Sequence, residues 1–285
     1  MKNLIFMLSS YPDCHKDLIL PKLLRDNSEP WDASMCLILI AHQLTRQMPL
    51  LVLANRDEFY ARPTMAAREW EESPGMIAGR DLVSRGTWFG ARNDRWATVT
   101  NIREGTQKKD NHSKSRGWLV RDYLQGELPP ADFFASIKAT MGDFAGFNLL
   151  LGDARDLWYV SNRDNRPRLL PPAIYGLSNH RLDTPWPKVV RGKRGLDQLL
   201  KRSNFDKEAA FALLADTTRA EDNELPDTGI PLEWERALSA AFIAMPEYGT
   251  RCSTLLMVKA GGHRLFIERR FSEGPEQWVM SEFSW

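Results

Sequence analysis

Two short apolar runs, Cys36 to Ala41 and Leu50 to Ala54, are separated only by the mostly polar stretch from His42 to Pro49, and this pairing constrains the fold more than any other feature. Runs of this length bounded by polar segments read as strands, and the short connection makes them a β-hairpin. In an antiparallel hairpin the start of the first strand lies beside the end of the second. Cys36 is therefore expected next to the segment that closes the second run, Asn55-Arg56-Asp57-Glu58. A cation there favours a thiolate, and a carboxylate can hold an amine. Taken singly, a cysteine heading an apolar strand is also a small buried hydrophobe, and four polar residues are also a self-paired loop.

Cys36 directly follows Met35. If translation begins at Met35 and the methionine is removed, one residue carries both a thiol and a free α-amine. The amine titrates near about 8 and the thiol near about 8.5, so at neutral pH the amine can take the thiol's proton without a histidine. The 34 residues ahead of Met35 are rich in Pro, Asp and Lys. A signal peptide needs a longer apolar core than Leu4 to Leu8 and a small-x-small cleavage site. Residues 1–34 are expected to be an over-extended start or a removable leader, ahead of a single domain over 35–285. With them attached, Cys36 has no free amine.

With 43% hydrophobic and 26% charged residues and a net charge of +1, the chain reads as a soluble globular protein. It has no basic stripe to track phosphates, so nucleic acid is not an expected partner. No apolar run reaches the length of a membrane span. The three cysteines, Cys14, Cys36 and Cys252, are odd in number and form no CxxC pair, which suits a reducing cytoplasm. The five histidines, His15, His42, His112, His180 and His263, lack paired-ligand spacing, and no metal or cofactor is expected. Gly176 to His180 has His where a nucleophile elbow needs Gly. Gly79 to Gly90 lacks the P-loop lysine, and Arg191 to Gly195 reads as a solvated helix start. The ten tryptophans, Trp88, Trp96, Trp118, Trp158 and Trp186 among them, suit core packing or an aromatic-lined pocket.

Segments 36–41, 50–54, 87–91 and 95–100 read as strands, and 113–125 and 130–141 have helical spacing on either side of Pro129-Pro130. A strand pair follows at 147–151 and 157–161, then helices at about 186–202, 205–215 and 231–243, and a last hairpin, 253–259 with 264–270, turning at Gly261-Gly262. This order predicts a layered α+β protein.

A set of motifs in fixed order carries a resemblance: Met35-Cys36, Asn55 to Glu58, Gly79-Arg-Asp-Leu82, Gly86-Thr-Trp-Phe-Gly90, Thr100-Asn-Ile-Arg103, Ser115-Arg-Gly117, Gly146-Phe-Asn-Leu149, Tyr175-Gly-Leu-Ser-Asn179 and Tyr248-Gly-Thr-Arg251. From Met35 to about Phe271 the chain resembles the NRDE family, also called the transport and Golgi organisation protein 2 family. That family looks related to the cysteine N-terminal nucleophile (Ntn) amidases. The resemblance implies an α+β fold of the αββα four-layer sandwich type.

It also implies roles. Cys36 would be the nucleophile, Arg56 would lower its pKa and Asp57 would orient its amine, with Glu58 a competitor because the order Asn55-Arg56-Asp57 differs from the amidases' arginine-asparagine-x-aspartate run. Asn179 would be an oxyanion donor, Asn101 and Asn55 further candidates for oxyanion or substrate contacts, and Arg251 the late active-site arginine. Two functions follow from the resemblance: an amidase acting on a small acylated substrate, through an amide or thioester bond, or a non-catalytic carrier of an apolar ligand such as haem or lipid.

Overall fold

The computed structural model describes residues 35–104, 114–164 and 166–285. Residues 1–34 and, with them, Cys14 and His15 lie outside the described residues, as does His112. The protein is α+β, with two antiparallel sheets and five helices among the described residues. The first sheet runs in the order β10 (Ala173–Leu177), β1 (Met35–His42), β2 (Leu50–Phe59), β11 (Tyr248–Val258), β12 (Arg264–Glu273), β13 (Gln277–Ser284). The second contains β3 (Thr64–Trp70), β4 (Ser73–Asp81), β5 (Phe89–Arg92), β6 (Arg95–Asn101), β7 (Phe147–Gly152), β8 (Leu157–Ser161) and β9 (Arg168–Leu170), in chain order. The helices are α1 (Gly117–Gln125), α2 (Pro130–Ile137), α3 (Pro187–Leu200), α4 (Lys207–Leu214) and α5 (Leu232–Leu238).

Strand alternation assigns the core. In β1 and β2, Ile38, Ile40, Val52 and Ala54 point to one face and cluster with Phe89, Trp96, Leu150 and Tyr159 of the second sheet. Leu37, Leu39, Leu51 and Leu53 point the other way, onto Val189, Leu196 and Leu199 of α3 and Phe211 and Leu214 of α4. The far face of the second sheet, with Val99, Leu149 and Leu151, packs against Leu119, Val120 and Tyr123 of α1 and Phe133 and Phe134 of α2. Both faces of β1 and β2 are covered, which is why their sequences are continuous apolar runs rather than alternating ones.

Several elements differ from the sequence expectation. β2 does not stop at Ala54 but runs on to Phe59 with Asn55, Arg56, Asp57 and Glu58 all buried; four polar residues stay in a strand because partners meet them there. β3, β4, β9, β10 and β13 had no clear strand pattern. β4 carries Pro74, Gly75 and Gly79, β9 buries only Leu170, and β13 is exposed along most of its length, so none shows an apolar alternation. The helix expected over 130–141 ends at Ile137 and tightens into a 3-10 turn through Asp143, and that expected over 231–243 spans only Leu232–Leu238. No helix among the described residues is long and apolar enough to cross a membrane.

Candidate functional site

The hairpin places Cys36 opposite Arg56 and Met35 opposite Asp57. On the other side of β1, β10 is paired so that Ile38 meets Leu177, and the chain leaving β10 therefore passes Cys36. The Cys36 main-chain N–H donates to Asn179 Oδ1 at 3.1 Å, and Ser178 Oγ donates to the Cys36 carbonyl at 2.9 Å. Asn179 is fully buried and its Nδ2 donates to the carbonyl of Asn101 at 3.0 Å, while the Arg103 N–H donates to the Asn179 carbonyl at 2.8 Å. Thr100 Oγ1 donates to the Ser178 carbonyl at 3.1 Å. The end of β10 in one sheet is thus tied to the end of β6 in the other, and Cys36 sits at the tie.

Arg56 is held from several sides. Its Nη2 lies 3.3 Å from Asp81 Oδ2 and 3.5 Å from Glu58 Oε2, and its guanidinium stacks over Trp88 at 4.4 Å from the ring centre. Arg62 also grips Asp81, with Nε at 2.6 Å from Oδ2. Burial pushes the Asp81 carboxyl up, but the Arg62 hydrogen bond and charge, the Ser84 N–H and the Arg56 charge together hold the group below the ordinary carboxylate range. Gly79 makes the stack possible, because a Cβ at that position would meet two Trp88 ring carbons at 2.3 and 2.5 Å. Gly79→Ala is expected to push Trp88 off Arg56 and to destabilise the fold by about 1–3 kcal/mol, as overpacking does. Urea unfolding followed by tryptophan fluorescence checks this, and an unchanged midpoint would show that Trp88 moves aside freely.

Asp57 is also fully buried, and Thr250 Oγ1 donates to its Oδ1 at 2.6 Å. A bulge in β11 brings Thr250 there: Thr250 pairs with Asp57 and Cys252 with Arg56, leaving Arg251 as the extra residue. Burial pushes the Asp57 carboxyl up to about 6, against the pull of Lys188, the Thr250 hydrogen bond and Arg56. The folded protein therefore binds this proton more tightly than the unfolded chain. Stability contributed by protonated Asp57 is full below the unfolded pKa of about 4 and is lost as pH rises through about 6. Relative to Asp57→Asn, the wild type is expected to lose on the order of 2–3 kcal/mol between pH 4 and 7. Urea unfolding of both proteins across that range measures it. A difference independent of pH would mean that Asp57 titrates alike folded and unfolded.

The thiol itself departs from the sequence expectation. Arg56 does act to lower the Cys36 pKa, but burial and the Asp57 charge prevail and push it up to about 12. With a residue still attached ahead of it, Cys36 is a neutral thiol that is 8% exposed. Cys252, beside Arg56 on the far side, is buried too, and burial and Glu268 raise its thiol well above the ordinary value.

The remaining expected residues divide. Glu58 turns to Arg56 and Arg62 and accepts the Phe59 N–H, which leaves Asp57 as the carboxylate across from Met35. Asn101 contributes its main-chain carbonyl, to Asn179. Arg251 is half-buried, and its Nη1 donates to the carbonyls of Phe59 and Arg62 at 2.8 and 3.0 Å. Burial lowers its pKa and the neighbouring Arg56 lowers it further, so its charge bears on Arg56. Asn55 faces away: its Nδ2 donates to the carbonyls of Leu214 and Ala241, both at 2.8 Å, and Ser253 Oγ donates to its Oδ1. Both amide hydrogens are spent bracing β2 against the end of α4 and the segment that follows α5, so Asn55 has none to offer an oxyanion.

Sequence reasoning missed Asp81, Thr250, Ser178 and Lys188, and read Trp88 as core packing or pocket lining rather than as the cap of Arg56. All of these but Lys188 lie inside quoted motifs, where the type of residue was visible but its contact was not. Lys188 lies in no quoted motif. It sits in the first turn of α3 with 1% of its surface exposed. Nearby, Trp186 covers Arg103, whose guanidinium is 5.0 Å from the ring centre and pairs with Glu235 at 2.7 Å. The two tryptophans at the site, Trp88 and Trp186, thus cap arginines while also packing against the apolar clusters, as Trp96 and Trp158 do.

The model of the family described as Transport and Golgi organisation 2 matches residues 35–273. The Transport and Golgi organization protein 2 homolog of Bos taurus is 32% identical over 248 residues, covering 80% of this chain and 89% of that one. The Transport and Golgi organization protein 2 of Drosophila melanogaster is 24% identical over 242 residues, covering 77% of this chain and 85% of that one. A solved structure of the Caenorhabditis elegans N-acylethanolamine-hydrolyzing acid amidase ortholog aligns with a TM-score of 0.44 at 12% identity, over 79% of this chain and 93% of that one. With the family model matched over most of its length, the chain belongs to the Transport and Golgi organisation 2 family.

Proposed function

We propose that this protein is an N-terminal cysteine hydrolase that cleaves a non-peptide carbon–nitrogen amide bond, or a thioester, of a small acylated substrate in the cytoplasm. The observation that carries this reading is the hydrogen bond from the Cys36 nitrogen to Asn179, with Arg56 and Asp57 in register beside it. In this reading residues 1–34 and Met35 are removed, leaving one domain with the αββα layering of the Ntn hydrolases. Two sheets that share one apolar cluster, each with helices on its other face, support that layering.

The chemistry then follows from the residues. The neutral Cys36 amine takes the thiol proton, and sulfur attacks the carbonyl carbon. Arg56 stabilises the thiolate, and Asn179 and its neighbouring backbone hold the developing oxyanion. The carbon–nitrogen bond breaks, and the leaving amine departs with the proton. Water, giving up a proton to the amine, cleaves the thioester and returns the thiol. Intact mass of a chain beginning at Cys36, exposed to a library of activated acyl esters and amides, tests this: an acyl adduct on Cys36 that decays with product release is expected. Adducts absent at Cys36 across the library would overturn the reading.

A second reading rests on the burial of Cys36, whose thiol is neutral while a residue precedes it. In it the protein is a carrier of an apolar ligand such as haem or lipid, consistent with relatives named for transport. Titration with haemin and with a fluorescent fatty acid separates the two, since a carrier retains binding when Cys36 becomes alanine and forms no adduct.

A further inference from the structure

Lysine is almost never fully buried without a partner, yet Lys188 is 1% exposed and its ammonium nitrogen has no hydrogen-bond partner among the described residues. It rides on α3, which lies along β10 and β1 on the outer face of the first sheet. A second buried atom without a hydrogen-bond partner among the described residues is Asp57 Oδ2. Asp57 is the strongest attraction on the Lys188 charge, and Lys188 the strongest on Asp57, although the two are not hydrogen bonded to each other. Cys36 feels both of them.

We propose that Lys188 is a positioning residue that sets the charge of the Cys36 α-amine, holding it neutral so that it can act as the base. The inference rests on the hydrolase reading. In a chain beginning at Cys36 the amine lies beside Asp57, because the preceding residue pairs with Asp57 across the hairpin. A lone buried carboxylate would favour the ammonium form, which has no lone pair with which to take the thiol proton. A buried cation balancing the same carboxylate removes that bias. The other charges around the amine do not substitute for it. Arg56 on β2 is engaged with Glu58 and Asp81, Arg103 beyond β6 is paired with Glu235 on α5, and Arg191 on α3 is turned to Asp216 and two backbone carbonyls. Cys252 on β11 is an uncharged thiol. Lys188 is cationic at neutral pH even though burial lowers its pKa to about 8.

The test uses the chain beginning at Cys36, labelled with nitrogen-15 at cysteine, and titrates the amine by NMR. The wild-type amine is expected to titrate below the ordinary α-amine value of about 7.7–8.0. Lys188→Met is expected to raise it by about one pH unit or more, with about tenfold slower Cys36 alkylation by iodoacetamide at pH 6.5, while Lys188→Arg restores both. An amine unmoved in Lys188→Met, or a wild-type value at or above the ordinary one, overturns the proposal. If Lys188→Met does not fold, the wild-type and Lys188→Arg titrations decide it. The titration needs no turnover, so a shifted amine in a protein that forms no acyl adduct would sink the hydrolase reading and leave the role of Lys188 standing.

Discussion

In a chain that begins at Cys36, Cys36→Ala is expected to lower hydrolysis of an activated acyl ester by about 10³-fold or more, since it removes the group that forms the covalent intermediate. Leaving Met35 attached is expected to cost about 10²–10⁴-fold, the range for a lost general base. The structure gives the reason for the second effect. With Met35 in place the Cys36 nitrogen is a peptide N–H donating to Asn179, so it has no basic lone pair. A thiol held at about 12 is ionised in roughly one molecule in 10⁵ at pH 7, and Arg56 alone does not repair this. Single-turnover kinetics on the three proteins, with intact mass at each time point, measure both effects. Equal rates for the wild type and Cys36→Ala would locate any hydrolysis elsewhere on the molecule. Equal rates with and without Met35 would mean that the amine is not the base.

The hairpin was legible in the sequence because its signal is local. Two apolar runs and one polar loop suffice to put Cys36 beside Arg56, and β1 and β2 pair in that register. The continuation of β2 through Asn55 to Glu58 was not legible, since four polar residues look like a strand end until their partners are known. Those partners are distant in sequence: Ser253, Leu214 and Ala241 for Asn55, Asp81 for Arg56, and Thr250 for Asp57. The bulge at Arg251 is equally silent, because nothing in Gly249-Thr-Arg-Cys252 marks an extra residue. Charge balance is the least legible of all. A cation beside a thiol suggests a lowered pKa, and only the burial of Cys36 shows that desolvation prevails. Lys188 follows the same logic, since a lysine in the first turn of a helix reads as a solvated one until the fold closes over it.

Glu235→Ala is expected to destabilise the protein by about 3–5 kcal/mol, the cost of leaving a buried charge without its partner. For a chain of this size that lowers the melting temperature by on the order of 10 °C. Arg103 Nη1 lies 2.7 Å from Glu235 Oε2, with 3% and 5% of the two side chains exposed. Thr228 completes the group, donating its N–H to Glu235 Oε1 at 3.1 Å and accepting from Arg103 Nη1 at 2.9 Å. Truncating Glu235 leaves the buried guanidinium under Trp186 without its carboxylate, while the Thr228 hydroxyl still meets it. Replacing both members by apolar residues, Arg103→Met with Glu235→Leu, removes the stranded charge and is expected to recover most of the loss, because two desolvation penalties vanish together. Thermal unfolding of the two single variants and the double variant gives the coupling directly. The same series also tests how the pair reaches the site, since the Arg103 N–H holds the Asn179 carbonyl. If the double variant regains stability and Cys36 still reacts normally, the backbone alone positions Asn179. If stability returns but Cys36 reactivity does not, the Arg103 charge itself acts on the site, as its influence on Lys188 implies. Additive single-variant losses, with no recovery in the double variant, would show that the pair is not the electrostatic unit its geometry describes.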